Sequence, residues 1–258
     1  MVGAAGMLGQ DLVPAADAIG LSRAELDVTD RGAVREAISK DDLVFNCAAW
    51  TDVDGAEERP DDALRVNRDG ARNVAEAAGT VVYVSSDYVF DGRKREPYLE
   101  SDAPRPVSAY GHSKLEGERA TAEANPRHFV ARSAWLFGRG GRNFVETMLG
   151  LGPEVRVVDD QVGSPTFTGH LAEALVALAD GGERGVLHVA GTGSCSWYGF
   201  ARAIFERAGL DAAVRPCATD EFPRPARRPS CSVLASERGA PVLPAWEDGL
   251  DAYLGVRA

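Results

Sequence analysis

Short apolar, β-branched stretches alternate along this chain with segments that carry apolar residues at helical spacing, and no other feature restricts the fold as strongly. Residues 17–21, 43–48, 81–85, 129–133, 155–158 and 186–189 read as strands; residues 65–78, 113–124, 168–179 and 197–208 read as helices. Parallel strands need crossover helices and are buried on both faces, so the pattern predicts an α/β protein built on a mostly parallel sheet. The segment 197–208 is the clearest helix. Its Trp197, Phe200, Ala201, Ile204, Phe205 and Ala208 follow the i, i+3, i+4, i+7 rule, with Ser196 as cap and Gly209 past the end. That stripe reads as core.

A chain of 258 residues with 45% hydrophobic content can bury a large core, as one α/β domain or as a major part with a minor one. Its 28 basic and 39 acidic residues leave a formal charge of -11, which disfavours a nucleic-acid surface. No apolar run approaches the ~20 residues that cross a bilayer, and the N-terminus lacks the charged and apolar regions of a signal peptide, so a cytoplasmic protein without a membrane partner is expected. Cys47, Cys195, Cys217 and Cys231 are too dispersed for zinc spacings and read as reduced, structural thiols, with no metal. Proline and arginine crowd 222–229, an ordered connecting loop.

Gly3, Gly6 and Gly9 stand ahead of a helical segment. Without side chains they permit a tight turn and let a pyrophosphate approach backbone N–H groups at a helix N-terminus, which predicts a Rossmann-like sheet with helices on both faces. The strand that should precede this turn is largely missing, since only Met1 and Val2 lie upstream. A truncated start and a rearranged sheet edge are the two accounts, the first preferred. Ser22 and Arg23 follow the second strand, where an NAD site usually has an acidic residue for the ribose 2′-hydroxyl. A hydroxyl and a guanidinium suit a 2′-phosphate, so NADPH is the expected cofactor, with NADH possible.

Ser86 lies at the end of the apolar run 81–84, at the carboxyl edge where open α/β sheets bind ligands. Tyr110 and Lys114 stand at i and i+4 and therefore share a helix face. A phenol of unperturbed pKa near ~10 donates poorly at neutral pH, and a fixed ammonium nearby lowers that value. The three residues form a set suited to carbonyl reduction.

These segments, with Asn46 to Asp54, Val66-Asn67, Ser85 to Gly92, Arg132 to Trp135, Asn143-Phe144, Asp160 to Thr166, Cys195 to Tyr198 and Arg227 to Pro229, resemble the extended short-chain dehydrogenase/reductases. Across nearly the whole chain the resemblance is to the dTDP-4-dehydrorhamnose reductase branch. It implies hydride delivery from nicotinamide to the C4 ketone of dTDP-4-dehydro-6-deoxy-L-mannose, giving dTDP-L-rhamnose, with Tyr110 as proton donor. Ser86, which stands where this branch commonly has threonine, is implied to hydrogen-bond the ketone oxygen. Lys114 is implied to hold the nicotinamide ribose and lower the pKa of Tyr110. Cofactor contacts are implied for Gly3, Gly6, Met7, Leu8, Gly9, Asp27, Val28, Ala48, Ala49 and Trp50. Asp27 also reads as a plain turn residue.

Asp87 and Tyr88 are implied to shape the sugar site, Trp135 to wall it or to be a core indole, and Asn143 and Arg228 to meet the diphosphate and sugar. The expected layout is a cofactor-binding part at 1–137 and 154–187 and a smaller C-terminal substrate-binding part at 138–153 and 188–258. A monomer or homodimer acting on a dTDP-linked 4-keto-6-deoxy sugar is expected. Two alternatives remain open: a reductase or epimerase for another such sugar, and a noncatalytic NADP-binding subunit similar to the β subunit of methionine adenosyltransferase.

Overall fold

The computed structural model describes residues 1–181 and 183–255. The glycine turn feeds α1 (Met7–Ala15), which is short, as the 14 residues between Val2 and the next strand candidate require. Asp30 accepts from the N–H groups of Gly32 and Ala33 and so starts α2 (Arg31–Ala37), ahead of β1 (Leu43–Asn46). Asp52 caps α3 (Val53–Glu58) in the same way, and Pro60 opens α4 (Pro60–Leu64) at a position where its missing N–H leaves nothing unpaired. A π turn at Arg65–Gly70 joins α4 to α5 (Ala71–Ala77), so the helix expected at 65–78 starts earlier and carries a bulge.

β2 (Thr80–Ser86) precedes α6 (Ala109–Ala124), capped by the Ser108 hydroxyl. This helix begins four residues before the predicted start, which puts Tyr110 in its first turn. β3 (His128–Ser133), β4 (Leu136–Phe137), α7 (Phe144–Leu149), β5 (Glu154–Val158), β6 (Val162–Gly163), β7 (Thr166–Phe167) and α8 (Thr168–Gly181) follow. β8 (Gly185–His188), β9 (Cys195–Ser196), α9 (Trp197–Arg207), β10 (Ala213–Cys217) and α10 (Trp246–Gly255) complete the described chain.

The main sheet is parallel, in the order β1-β2-β3-β8. Val82, Phe129, Ala131 and Leu187 point to the face covered by α1 and α8, where Leu8, Leu12, Leu171 and Leu175 meet them. Val44 and Val81 point the other way, to Val34, Val74 and Ala75, and Tyr83 and Val130 meet Ala71 on that face. Burial on both faces is why these strands read as continuous apolar runs rather than alternating ones.

Val2 extends the sheet by single parallel bridges to Asn46 on one side and Leu21 on the other. Its N–H donates to Phe45 O at 3.0 Å, and Leu21 N–H donates to Met1 O at 2.9 Å. Val2 thus pairs between two neighbours rather than at a sheet edge. The strand expected over 17–21 shrinks to Leu21. Asp17 has φ 46°, a left-handed turn that leaves no extended length before Leu21.

A second correction concerns 155–158. β5 pairs with β10, not with the main sheet. Glu154 and Arg156 are exposed while Val155 and Val157 are buried, the one-sided alternation of a strand with a wet face. Val155 and Val157 pack with Phe137, Val145, Phe200, Ile204, Trp246 and Leu250 in a separate, aromatic-rich core. Strand 154–158, expected with the cofactor part, therefore packs with the smaller one.

Candidate active site

The glycine turn is built for close backbone approach. Gly3 has φ 81°, and a Cβ there would lie 2.7 Å from Ala48 N. One on Gly9 would lie 2.5 Å from Gly3 O, so helix and turn touch only because both lack side chains. Gly6 caps α1 without a side chain, and no acidic residue occupies the first turn. The free N–H groups there form an anion seat open to a cleft of about 770 Å³. Gly3, Gly6, Met7, Leu8 and Gly9 line one end of this cleft, with Ala48, Ala49 and Trp50 beside them.

Arg23, Asp27 and Val28 line the same end, but Ser22 does not. The Ser22 N–H and hydroxyl both donate to Glu25 Oε2, at 2.8 and 2.7 Å, an engagement that the sequence reading overlooked. Asp27 accepts from the N–H and hydroxyl of Thr29, which with Arg23 nearby holds its carboxyl below the usual range. Asp27 is thus both a turn residue and part of the wall.

At the other end, Ser86, Asp87, Tyr88, Tyr110 and Lys114 come together, brought there by the end of β2 and the first turns of α6. Tyr88 and Tyr110 meet edge to face at 5.7 Å. Lys114 Nζ donates to Val84 O at 2.8 Å and lies 4.2 Å from the Tyr83 ring centroid. Burial pulls Lys114 down to about 7, against the opposing pull of Glu118 and Cys47. Burial also pushes the Tyr110 phenol up to about 12, with Ser86 pulling it down and Asp87 adding to the rise. Burial sets the Tyr110 value in this structure, and the expected lowering by Lys114 does not accompany it.

Ser86 Oγ donates to Asp87 Oδ1 at 2.9 Å, and Ser232 Oγ donates to Asp87 Oδ2 at 2.5 Å. Desolvation nonetheless raises Asp87 to about 6. Ser232 lies 145 positions away, and no local spacing pointed to it.

Asn67 is a second residue given no role by the sequence reading. Its Oδ1 accepts from Trp50 N–H at 2.8 Å, and its Nδ2 donates to Trp50 O and to Ser113 Oγ. It locks the Trp50 loop to α6, next to Tyr110 and Lys114. Close packing there depends on Gly117, whose Cβ would sit 2.2 Å from Asn67 O.

Trp135 lines the cleft with φ 47°, a strained conformation for a bulky residue. Its indole stacks on Trp197 with centroids 3.5 Å apart and planes at 3°. Trp197 packs against the aromatic-rich core, as its stripe predicts, and also lines the cleft. Arg142 joins them, with no signal beyond an arginine after Gly140-Gly141.

Asn143 and Arg228 are not among the cleft residues. Asn143 caps α7, accepting from Glu146 N–H at 3.0 Å, and its amide donates to Gly138 O and Gly141 O. Arg228 forks onto Asp54, with both contacts at 2.9 Å, and ties the loop at 222–229 to α3. Both hold the fold in this way, and Arg228 also lies against Tyr88, which lines the cleft.

The residues present fit a dinucleotide. An uncapped helix end offers donors at one extremity of the cleft, and Ser133, which also lines it, has a buried hydroxyl with no partner among the described residues. A parallel sheet, a phosphate cradle and a phenol–lysine pair around one cleft put the chain among the oxidoreductases of the short-chain dehydrogenase/reductase type. Comparison with known proteins narrows this. The chain belongs to the family described as the RmlD substrate binding domain, whose model matches residues 1–257.

It is 44% identical to a dTDP-4-dehydrorhamnose reductase of Mycolicibacterium smegmatis, over 99% of this chain and 85% of that protein. The crystal structure of a dTDP-4-dehydrorhamnose reductase from Clostridium acetobutylicum superposes with a TM-score of 0.94 at 40% identity, covering 99% of this chain and 98% of the other. That of a Bacillus anthracis dTDP-4-dehydrorhamnose reductase in complex with NADP has a TM-score of 0.95 at 36% identity, covering 100% and 98%. Among the described residues no helix is long and apolar enough to cross a membrane.

Proposed function

We propose that this protein reduces the C4 ketone of dTDP-4-dehydro-6-deoxy-L-mannose to dTDP-L-rhamnose with NADPH. The observation that carries the reading is the single cleft that joins the glycine turn to Ser86, Tyr110 and Lys114 and ends on the Trp135–Trp197 stack. The names of the similar proteins support it. Nicotinamide, when bound, supplies the hydride. Tyr110 gives its proton to the C4 oxygen as charge develops there, and Ser86, its one hydroxyl proton turning from Asp87 Oδ1, donates a hydrogen bond to the same oxygen. Lys114 holds the cofactor ribose, and in its protonated form its charge would oppose the burial that raises Tyr110.

Asp87 holds the Ser86 hydroxyl until the sugar oxygen replaces it as acceptor, and by accepting from Ser232 it joins β2 to the C-terminal part. The stacked indoles form a flat apolar wall for the sugar end. Arg23, exposed in the cleft where Ser22 is already engaged, is the residue that favours a 2′-phosphate.

The test is direct. Folded protein given dTDP-4-dehydro-6-deoxy-L-mannose and NADPH should oxidise the cofactor and yield dTDP-L-rhamnose; absence of cofactor oxidation overturns the assignment.

A further inference from the structure

The inner face of α6 carries more charge than the proposed chemistry uses. One turn after Lys114, Glu118 is buried, with its side chain 5% exposed against 4% for the Arg132 side chain paired with it. Glu118 Oε1 accepts from Arg132 Nε at 2.9 Å and from Ser85 Oγ at 2.5 Å, while Oε2 accepts from Arg132 Nη2 at 2.7 Å. Arg132 comes from β3, beside β2, and lies over the Phe90 ring with His188 Nε2 3.4 Å from Nη1.

Taking two charges out of water is expensive, and an ion pair in a dry interior often contributes little net stability. Its placement is the more informative fact. Ser85 directly precedes Ser86, and Glu118 follows Lys114 at i+4 on the same buried helix face.

The groups that face Lys114 leave it few counter-charges. From β2 come the Val84 carbonyl and the Tyr83 phenol, which burial keeps neutral. The segment after β1 brings Cys47, a thiol that burial pushes up to about 12 and so keeps protonated, and the Met1 ammonium acts on that thiol. α6 itself contributes Tyr110, also protonated, and Glu118. Asp87, past the end of β2, acts on Tyr110.

We infer that Glu118 is a positioning residue: bonded to Arg132 and Ser85 one turn from Lys114 on the same buried face of α6, it supplies the negative charge that holds Lys114 protonated to higher pH, and so sets the pH above which the tyrosine–lysine pair stops working. The inference rests on the proposed reductase reading for its consequence, not for its measurement. Through Ser85 the same carboxylate also anchors the strand end that presents Ser86.

The chain has only three lysines, Lys40, Lys94 and Lys114, so an NMR titration of protein carrying ¹³C at the lysine ε-carbons resolves each one. Lys114→Met identifies the Lys114 signal by its loss. In Glu118→Gln the Lys114 midpoint should fall by about one pH unit or more, because the opposite charge is gone. In Arg132→Met it should rise, since the positive charge that offsets Glu118 is gone.

An unmoved midpoint in folded Glu118→Gln overturns the inference. Should that variant fail to fold, Arg132→Met decides, and an unmoved or lowered midpoint overturns it. The alkaline limb of kcat should move in the same direction as each midpoint. Wild-type protein that oxidises no NADPH sinks the reductase reading and leaves the lysine titration to be judged by itself.

Discussion

The two halves of the molecule are packed with different side chains, and the difference follows what each half presents to the cleft. Around the main sheet the core is mainly aliphatic, with Leu8, Leu12, Val82, Leu171 and Leu187 on one face and Val34, Val44, Val74 and Val81 on the other. In the smaller half it is aromatic, with Phe137, Phe200, Phe205, Trp246 and Tyr253. Branched aliphatic residues fit the regular spacing between helix and pleated sheet, and so fix the backbone that forms the phosphate turn. Large rings bridge irregular gaps between short elements. Here they form a relay, Phe200 to Phe144 to Trp197 to Trp135, whose last member is a wall of the cleft. One half positions backbone amides and catalytic side chains; the other delivers a ring surface.

That comparison can be broken experimentally, starting where the effect is largest. Tyr110→Phe removes the proton donor from the sheet half and should lower kcat by ~10²–10⁴-fold, with the cofactor Kd unchanged by fluorescence titration. Normal turnover would mean that another group protonates the ketone.

Next come the two cores. Phe200→Ala should cost ~3–5 kcal/mol and Leu12→Ala ~2–5 kcal/mol in urea unfolding. Phe200→Ala should also raise KM for the sugar nucleotide, whereas Leu12→Ala should weaken cofactor binding. If both variants disturb both ligands equally, the division of labour is wrong.

Trp197→Ala removes one stacked pair without opening the deep core, and should raise the sugar-nucleotide KM by up to about tenfold with little change in cofactor Kd. The smallest expected effect is electrostatic. Asp87 is raised to about 6 in the folded chain, against an unfolded value near ~3.9. The folded state therefore takes up this proton first, and acidification from pH 7 to pH 5 should add about 1 kcal/mol of stability at this one group. The change in unfolding free energy between those pH values should be that much less favourable in Asp87→Asn than in wild type.

What could be read from the sequence divides along the same line. The glycine turn, the strand ending at Ser86 and the Tyr110–Lys114 spacing are local patterns with one physical meaning each, and all line the cleft as expected. Asn143 caps a helix and Arg228 grips Asp54, and an amide or guanidinium so engaged looks, in sequence, like one waiting for a phosphate. Strand 154–158 was assigned to the wrong sheet although its alternation of Glu154, Arg156 and valines already marked one wet face. Ser232 and Asn67 act through contacts 145 and 46 positions away, and nothing in spacing can show such a contact. Trp197 follows the helical stripe faithfully; it lines the cleft only because it stands in the first turn of α9, where the stripe runs out of core.

The π turn at Arg65–Gly70 makes helix length a functional quantity. A wide turn changes the winding of the segments before and after it, and this one turns Asn67 inward to the Trp50 loop and Ser113 while Val74 and Ala75 still face the sheet. Each residue of an ordinary helix advances about 100°. Deleting a single residue between 65 and 70 would restore ordinary winding and rotate Asn67 away from Ser113. Substitutions along the outer face of this helix should be tolerated far better than any change in the number of its residues.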